Sequence, residues 1–248
     1  MARSLFERMF VPSPMKRLRG RYHHHFDPRR FDIDWSAVNY NRAAIVNLLL
    51  ADRRDAHYLE IGCAENMLFD AVIARHKTGV DPSRGGTERL TSDEFFRRNP
   101  DEKYDVIFID GLHVYDQAHR DLTNALRHLR PGGWIALHDM MPLDWLEEHV
   151  PRISGTWSGD VWKVAFELAR APHLDFRVIK VDRGVAVVRP LGPEAVIADL
   201  SAELADKRFG YFYDHAADLP IVDYAAGREW IEAPPSAPQF SGASSSRD

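Results

Sequence analysis

The chain has 248 residues, of which 45% are hydrophobic and 28% are charged, proportions that are typical of an ordinary soluble globular protein. Its single cysteine excludes an intramolecular disulfide, and no apolar run reaches the ~18 residues that a transmembrane helix needs. Because no signal-peptide pattern is present either, we expect a cytoplasmic protein.

Charge divides the chain into a basic arm and an acidic body. Residues 1–30 contain eight Lys/Arg and two Asp/Glu, a net charge of +6, so the remaining residues sum to −11. An acidic body argues against a nucleic-acid-binding surface. We therefore predict a basic N-terminal arm over 1–35, which is either a solvated, poorly ordered tail or a contact site for an anionic substrate or a membrane surface. The three histidines at 23–25 cannot all face one metal ion on regular structure, and no role is assigned to them.

Hydrophobic periodicity beyond the arm predicts alternating helices and strands. In chain order these are a helix over 36–53 with Ser36 as its cap, a strand over 57–61, a helix over 65–76, a strand ending at Asp81, a short strand and a short helix within 89–96, a strand over 104–110, a helix over 115–129, a strand over 134–139, a helix over 159–170, a hairpin over 175–190 turned at Arg183–Gly184, and a last helix over 193–207. The alternation predicts an α/β fold with a doubly wound, mostly parallel sheet, to which the hairpin adds an antiparallel edge. The domain would span 36–210, followed by an extension over 211–248 in which Pro, Ser and Gly predict disorder from about residue 233.

The turn after the first strand, in "YLEIGCAENMLFDAV" (58–72), lies where such a sheet binds its ligand. Dinucleotide-binding turns carry G-x-G-x-x-G because the pyrophosphate lies against the backbone, and here those positions hold Gly62, Ala64 and Met67. Met67 does not fit that pattern. S-adenosylmethionine (SAM) has an adenosine but no phosphate. Its ammonium suits an acidic side chain beside one tight turn, which Glu60 and Gly62 provide.

Further cofactor contacts are expected at the next strand end and loop. Asp81 lies about 20 residues past the glycine, where an acid should bind the ribose hydroxyls. Ser92 and Asp93 follow in the next loop, where we expect the adenine. Cys63 belongs to the first turn, and its side chain is interpreted as packing rather than as a nucleophile. The alternatives are structural: Glu60 as a surface strand residue, Asp81 as a turn residue and Asp93 as a helix cap.

Polar residues also end two later strands: Asp110 ends 104–110, and His138 and Asp139 end 134–139. Neighbouring strands lie ~5 Å apart, and two carboxylates side by side repel unless a proton or cation lies between them. A divalent cation, Mg²⁺ or another, with Asp110, His138 and Asp139 as ligands is therefore a second cofactor candidate, although the imidazole favours a softer ion. The alternative is that both carboxylates bind loop N–H groups and that no metal binds.

His113, three residues after Asp110, falls in the loop at the same sheet edge. A hydroxyl is a poor nucleophile for methyl transfer while protonated, and a histidine that titrates near neutral pH can take its proton. We therefore predict His113 as the catalytic base with Asp110 beside it; the alternative is a loop histidine bound by a carboxylate. Trp157, between two glycines, is the best candidate for an acceptor wall, with Tyr115 as a further contact, whereas Trp162 at helical spacing fits the core.

Together, the segments "YLEIGC", "GVDP", "YDVIFIDGLH" and "LRPGGWIALHD" resemble a class I SAM-dependent methyltransferase over roughly residues 55–190. The resemblance implies a Rossmann-like, seven-stranded sheet with an antiparallel last strand, and a cofactor contact at Asp110. The segment "GVDPSRGGTERLTSDEFF" is similar to a bacterial subgroup in which a loop replaces the helix between the second and third strands. Asn66 departs from the family, because many members have glycine there.

The D-x-x-H order after the fourth predicted strand is similar to bacterial metal-dependent sugar O-methyltransferases. The resemblance implies Asp110 and Asp139 as Mg²⁺ ligands and His113 as the base, with His138 replacing an acid of the family. We therefore expect a SAM-dependent O-methyltransferase acting on a hydroxyl of a small polar acceptor, a saccharide or glycan, and compatible with a homodimer. Two alternatives stay open: a non-catalytic interaction module that kept the fold, and a nicotinamide-dependent oxidoreductase on the same architecture.

Overall fold

One sheet of seven strands organises the chain. The structure is a computed structural model that describes residues 14–234. The strands are β1 (His57–Ile61), β2 (His76–Val80), β3 (Tyr104–Ile109), β4 (Leu129–Leu137), β5 (Leu174–Ile179), β6 (Val185–Pro190) and β7 (Ile221–Val222). Their order across the sheet is β2-β1-β3-β4-β6-β5-β7. β6 runs antiparallel to its neighbours β4 and β5, and the other strand pairs of the described sheet are parallel. The expected doubly wound, mostly parallel sheet is therefore confirmed.

Helices cover both faces of this sheet. They are α1 (Pro14–Arg21), α2 (Arg42–Leu50), α3 (Met67–Ala71), α4 (Ser92–Arg98), α5 (Tyr115–His128), α6 (Trp145–Glu148), α7 (Lys163–Arg170), α8 (Ser201–Leu204), α9 (Phe209–His215) and α10 (Tyr224–Glu232). Side chains of β3 alternate between two cores, with Val106 and Phe108 buried in one and Ile107 and Ile109 buried in the other. A strand buried on both faces is apolar almost throughout, which explains the run "YDVIFI". Among the described residues, no helix has both the length and the apolar character needed to cross a membrane.

The strands differ from the expectation at two places. No strand forms within 89–96, and a single parallel bridge between Val80 and Glu88 lies just before that range, so the strand expected over 104–110 is the third along the chain. The seventh strand is β7, two residues of the C-terminal extension that pair in parallel with β5. The antiparallel strand, β6, is consequently the sixth along the chain and not the last.

The helices on either side of β1 are shorter than their hydrophobic patterns predicted. The side chain of Asn41 accepts hydrogen bonds from two backbone N–H groups, at 3.0 and 3.4 Å, and this cap starts α2. Ser36, the expected cap, lies in a separate 3-10 turn. After α3, the side chain of Asn47 accepts a hydrogen bond from the Ile73 N–H at 2.8 Å, which holds the chain in an extended form where the expected helix over 65–76 would continue.

The C-terminal region carries elements that the sequence pattern did not predict. The helix expected over 193–207 is limited to α8, whose N-cap, Leu200, has no side chain that could accept a hydrogen bond. β7 and α10 lie within the expected extension, and Phe209 and Phe212 of α9 are fully buried in the core.

Two parts of the predicted organisation lie outside the described residues. They are residues 1–13 of the basic arm and residues 235–248, which form most of the segment expected to be disordered.

Candidate active site

A cavity of about 780 Å³ opens at the edge of the sheet where the parallel strands β1, β2, β3 and β4 end. The ten residues predicted as cofactor contacts, metal ligands or base all line it: Glu60, Gly62, Cys63, Asp81, Ser92, Asp93, Asp110, His113, His138 and Asp139. The register of the sheet brings them together, because Ile61 at the end of β1 pairs with the last residues of β2 and β3. A larger cavity, of about 860 Å³, is lined by residues of 32–40 and α10 and contains none of the ten.

Gly62 lets the ends of β1 and β3 touch. Its φ of +87° lies in the left-handed region, and a Cβ there would overlap the carbonyl oxygen of Asp110. The Gly62 N–H donates to the Val80 carbonyl at 2.8 Å, and the Asp110 N–H donates to the Ile61 carbonyl at 2.8 Å. Gly62 therefore fixes the turn against the loop that carries Asp110.

Asn66 takes the place of a second glycine in this turn. Its φ is +62°, a left-handed conformation that asparagine tolerates better than most residues. The Asn66 side chain also accepts a hydrogen bond from the Gly86 N–H at 2.7 Å, which ties the turn to the loop after β2. Met67, the residue that does not suit a dinucleotide, is 78% exposed next to it.

Glu60 is buried beneath the cavity, with 1% of its surface exposed, so the interpretation of Glu60 as a surface strand residue is wrong. The hydroxyl of Tyr58 donates to its carboxylate at 2.6 Å. Burial raises the pKa of Glu60 to about 7, an effect that the Tyr58 hydrogen bond and the charge of Arg42 oppose and that the charge of Asp110 reinforces. A cationic group in the cavity would favour the ionised form of Glu60.

Asp81 is tied to the loops on both sides of it. One carboxylate oxygen accepts the Ala64 N–H at 2.9 Å, and the other accepts the N–H groups of Ser83 and Arg84 at 2.8 and 2.9 Å and the Ser83 hydroxyl at 3.1 Å. Burial opposes ionisation, but these hydrogen bonds outweigh it and hold the pKa of Asp81 below its ordinary value. Asp81 therefore forms a turn, as the structural alternative had it, and also faces the cavity.

Cys63, also on the cavity wall, packs as expected. It is 4% exposed, and burial raises the pKa of its thiol to about 12. A thiol with such a pKa stays protonated at neutral pH, so it is a poor nucleophile.

Ser92 and Asp93 lie in the first turn of α4. Their side chains accept hydrogen bonds from the Gln117 amide at 3.2 and 3.3 Å. The cap of α4 is Thr91, whose hydroxyl accepts the Glu94 N–H at 3.2 Å, so the alternative interpretation of Asp93 as the cap is wrong. Gln117, which also lines the cavity, was not predicted as a site residue.

His113 lies between two carboxylates. Its Nε2 atom is 3.2 Å from an oxygen of Asp110, and its Nδ1 atom is 3.1 Å from an oxygen of Asp139 and 3.1 Å from the Trp157 carbonyl. Burial would lower the pKa of His113, but the hydrogen bond to Asp110 and the charge of Asp139 raise it above its ordinary value. The indole ring of Trp157 stacks on the imidazole with 5.2 Å between centroids. A titratable ring is thus held in one orientation at the cavity wall.

His138 faces the same two carboxylates and is 6% exposed. Its Nδ1 atom lies 3.3 Å from Asp110 and 3.5 Å from Asp139, and its Nε2 atom lies 3.6 Å from Asp182. Burial opposes protonation, but the charges of Asp110 and Asp139 raise the pKa of His138 well above its ordinary value. The same contacts hold the pKa of Asp110 below its ordinary value, although burial acts in the opposite direction.

The donor atoms at this edge fit a divalent cation. Ligand atoms of Asp110, His113 and Asp139 lie within 4.8 Å of one another. This set contains His113, whereas the predicted set of ligands contained His138. The Nδ1 atom of His138 is buried beside the same carboxylates and has no hydrogen-bond partner among the described residues. Two carboxylates with imidazole nitrogens suit a softer ion better than they suit Mg²⁺.

Three further residues, none of them predicted from the sequence as a site residue, complete this part of the site. Arg42 donates to Asp182 at 3.0 Å, and the contacts of Asp182 with His138 and Arg42 overcome burial and lower its pKa to about 2. Gly159, at φ +64°, lies so close to the His113 carbonyl that a Cβ would overlap it. For the contact between Gly159 and His113, the presence of a glycine near Trp157 was the only signal in the sequence. No sequence signal marks Arg42, because it belongs to α2, a helix that precedes β1.

The three aromatic residues considered for the acceptor wall have different environments in the structure. Trp157 lines the cavity, together with Arg152 and Thr156. Tyr115 is buried and its hydroxyl donates to Glu167 at 2.5 Å, so its expected acceptor contact is wrong. Trp162 is fully buried, as expected of a core residue.

The N-terminal half of the chain carries a family signature. A family profile described as "Methyltransferase domain" matches residues 16–140, half of the 248 residues. The chain belongs to this methyltransferase family. The matched range includes all ten predicted site residues, and it rules out the interpretation as a nicotinamide oxidoreductase.

A search of curated proteins finds no match for this methyltransferase. Among solved structures it is similar to MycE methyltransferase of the mycinamycin biosynthetic pathway in complex with Mg, S-adenosylhomocysteine (SAH) and mycinamycin VI, at 16% identity and a TM-score of 0.43 over 73% of this chain and 56% of MycE. It is also similar to an O-methyltransferase from Bacillus cereus in complex with SAH, at 14% identity and a TM-score of 0.43 over 73% of this chain and 94% of that one. SAH-bound PaMTH1 from Podospora anserina matches at 13% identity and a TM-score of 0.44 over 73% of this chain and 98% of that one. The chain thus spans little more than half the length of MycE.

Proposed function

We propose that this methyltransferase transfers a methyl group from SAM to a hydroxyl of a small polar acceptor, and that the acceptor is a saccharide. The observation that carries the proposal is the position of His113, held between Asp110 and Asp139 in a cavity that the Gly62 turn also lines. An acceptor hydroxyl needs a base at the moment of attack, and a histidine with fixed orientation suits that task.

The cofactor end of the cavity matches the parts of SAM. The ammonium pairs with Glu60, the ribose hydroxyls with Asp81, and the adenine lies beside Ser92 and Asp93. Asp81 already accepts four hydrogen bonds, so a ribose hydroxyl replaces that of Ser83, the longest of them at 3.1 Å. The turn offers no row of glycines for a pyrophosphate, which agrees with a phosphate-free ligand.

Methyl transfer at this site is a single displacement. The acceptor oxygen attacks the sulfonium methyl carbon, the carbon–sulfur bond breaks with its electron pair staying on sulfur, and the acceptor proton passes to His113. Asp110 and Asp139 then stabilise the imidazolium ion, because both lie within 3.2 Å of the ring nitrogens. Most of the rate comes from the fixed alignment of the two reactants, since the sulfonium is already activated.

Asp110, Asp139 and His138 would hold a divalent cation next to the acceptor. The chemistry that such an ion supplies is a lower pKa for a hydroxyl that it binds. We assign His113 the role of base and not of ligand, although its nitrogen fits the same donor set. Titration calorimetry with Mn²⁺ tests this assignment: His113→Ala should keep the ion affinity within about tenfold of the wild-type value. A complete loss of Mn²⁺ binding in His113→Ala would make His113 a ligand.

The saccharide assignment rests on the acceptor side of the cavity. There an indole face, that of Trp157, lies beside the polar side chains of Arg152 and Thr156, and a sugar ring presents both apolar and polar groups to such a wall. Cytoplasmic location and a homodimer stay predictions of the same proposal.

Transfer of labelled methyl from SAM to a panel of saccharides, polyols and phenols tests the proposal. We expect sugar hydroxyls to be methylated by the wild-type protein and not by His113→Ala. Transfer to phenols alone would contradict the saccharide assignment and leave O-methylation standing. SAH binding without transfer to any acceptor would favour the non-catalytic module.

A further inference from the structure

The segment that follows α1 packs on α6 and on His149, the residue after it, which lie behind the cavity residue Trp157. The ring of Tyr22 meets the ring of His149 edge-on, with 4.4 Å between centroids, and Phe26 meets Trp145 at 5.7 Å. His149 is 1% exposed, so this contact covers it almost completely. The histidine run at 23–25 belongs to this segment and has no part in the reaction described above.

His25 is the member of the run that reaches into the protein. Its Nδ1 atom lies 2.9 Å from the Nε2 atom of His149. The Nδ1 atom of His149 lies 2.8 Å from the Pro151 carbonyl, which can only accept, so this nitrogen donates. The Nε2 atom of His149 and the Nδ1 atom of His25 share one proton. A hydrogen bond between the two rings is thus followed by one from His149 to the Pro151 carbonyl.

The series continues to the proposed base. The indole N–H of Trp157 donates to the His149 carbonyl at 2.9 Å. The Trp157 carbonyl lies 3.1 Å from the Nδ1 atom of His113, and the two rings stack. The contacts thus run without a gap from His149 through Trp157 to His113.

We propose that His25 and His149 are positioning residues for the acceptor wall: they hold Trp157 against His113. This inference rests on the proposed function, since it concerns how the acceptor side of that site is built. It gives the N-terminal segment a role within the enzyme, whereas the sequence offered a solvated tail or an anionic partner.

The burial of the contact supports this role. His23 and His24 are exposed, with 3.6 Å between the centroids of their tilted rings, while His25 is half-buried. Burial lowers the pKa of His25, and the charges of Arg208, His149 and His24 act in the same direction. The surroundings of His25 therefore favour its neutral form.

Hydrogen exchange of the Trp157 indole N–H tests the proposal in the full chain without donor or acceptor. In protein labelled with ¹⁵N-tryptophan, the Trp157 signal is assigned by its disappearance in Trp157→Phe. His25→Phe keeps a ring of similar shape but removes the ring nitrogens, and the indole N–H should then exchange about tenfold faster, the effect of losing one hydrogen bond. His25→Asn should restore protection, because its side-chain amide can occupy the place of the Nδ1 atom and can donate or accept.

His24→Phe is the matched control, since it makes the same change one residue earlier at an exposed position. Unchanged exchange in His25→Phe would overturn the proposal, and so would equal loss of protection in His24→Phe and His25→Phe. Thermal unfolding checks each variant, and His25→Ala replaces His25→Phe if the latter does not fold. SAH affinity, measured separately by calorimetry, tests the proposed function, so the two proposals can fail independently.

Discussion

The Nε2 atom of His113 lies 3.2 Å from a carboxylate oxygen of Asp110, and both residues belong to the short loop that follows β3. The backbone of this loop is fixed at both ends. Gly62 packs on the Asp110 carbonyl, and Gly159 packs on the His113 carbonyl. A base and its orienting acid are therefore held by close backbone contacts as well as by their own side chains.

Replacement of the base tests the chemistry most directly. His113→Ala should lower turnover by about 10²–10⁴-fold, the usual contribution of a general base, and should leave SAH affinity nearly unchanged. Turnover is measured with labelled SAM and affinity by calorimetry. His76→Ala, at the exposed start of β2, is the control. A fully active His113→Ala protein would remove the assignment.

The pH dependence of the reaction follows from the same contacts. Asp110 and Asp139 raise the pKa of His113 above its ordinary value of 6.5, and the base must be neutral to accept a proton. Activity should therefore rise with pH, with the midpoint of the acid limb of kcat/KM above 6.5. Asp139→Asn should move this midpoint down, because it removes one of the two carboxylates. A wild-type midpoint below 6.5 would contradict the role of the two acids.

Gly159→Ala should displace His113. The added Cβ would overlap the His113 carbonyl, and the φ of +64° is strained for alanine, so the loop has to move. A shift of about 1 Å in a catalytic group costs on the order of 100-fold in turnover. Gly155→Ala is the matched control, since its Cβ meets no atom within 4 Å. Equal activity of the two variants would show that the contact with His113 is unimportant.

Asp81→Ala should weaken SAH binding. A hydrogen bond to a charged group contributes about 1.5–3 kcal/mol, so the loss of the ribose contact should raise the dissociation constant by about 10- to 100-fold. Calorimetry measures the affinity, and thermal unfolding reports the separate effect of losing the hydrogen bonds to the two loops. Asp70→Ala, at an exposed position of α3, is the control. Unchanged affinity in Asp81→Ala would exclude a ribose contact.

The parts of the site that lie at strand ends could be predicted from the sequence, because a buried parallel strand has a distinct pattern. The run "YDVIFI" marks β3, and the parallel register then places Asp110 beside the Gly62 turn. Arg42 could not be predicted, since its contact with Asp182 joins residues 140 positions apart in the chain. β7 was missed for a related reason: a strand of two residues has no periodicity, and its pairing with β5 defines it.

Two possible caps explain why α2 begins later than predicted. Ser36 and Asn41 are both good cap residues, and the hydrophobic pattern does not decide between them. Asn66 is a different case. Its left-handed conformation, with a φ of +62°, could be recognised only in the structure, because the sequence has no glycine at this position.

Glu148, which is not part of the proposed site, should make the stability of the protein depend on pH. It is 1% exposed, and neither carboxylate oxygen has a hydrogen-bond partner in the described part of the chain. Burial raises the pKa of Glu148 to about 7 from 4.5, although the nearby charge of Arg208 opposes this. An acid whose pKa is higher in the folded state binds more protons there, so the free energy of unfolding should fall as the pH rises from 4.5 to 7 and level off above.

Glu148→Gln removes this ionisation and keeps the shape of the side chain. At pH near 8.5 the variant should be more stable than the wild-type protein by up to about 3 kcal/mol, the free energy that corresponds to the raised pKa, whereas near pH 4.5 the two should be nearly equal. Urea unfolding at both pH values measures the difference. The exposed Glu194→Gln should show no such pH dependence. A Glu148→Gln protein that is equally stabilised at both pH values would mean that packing, and not the buried charge, limits stability at this position.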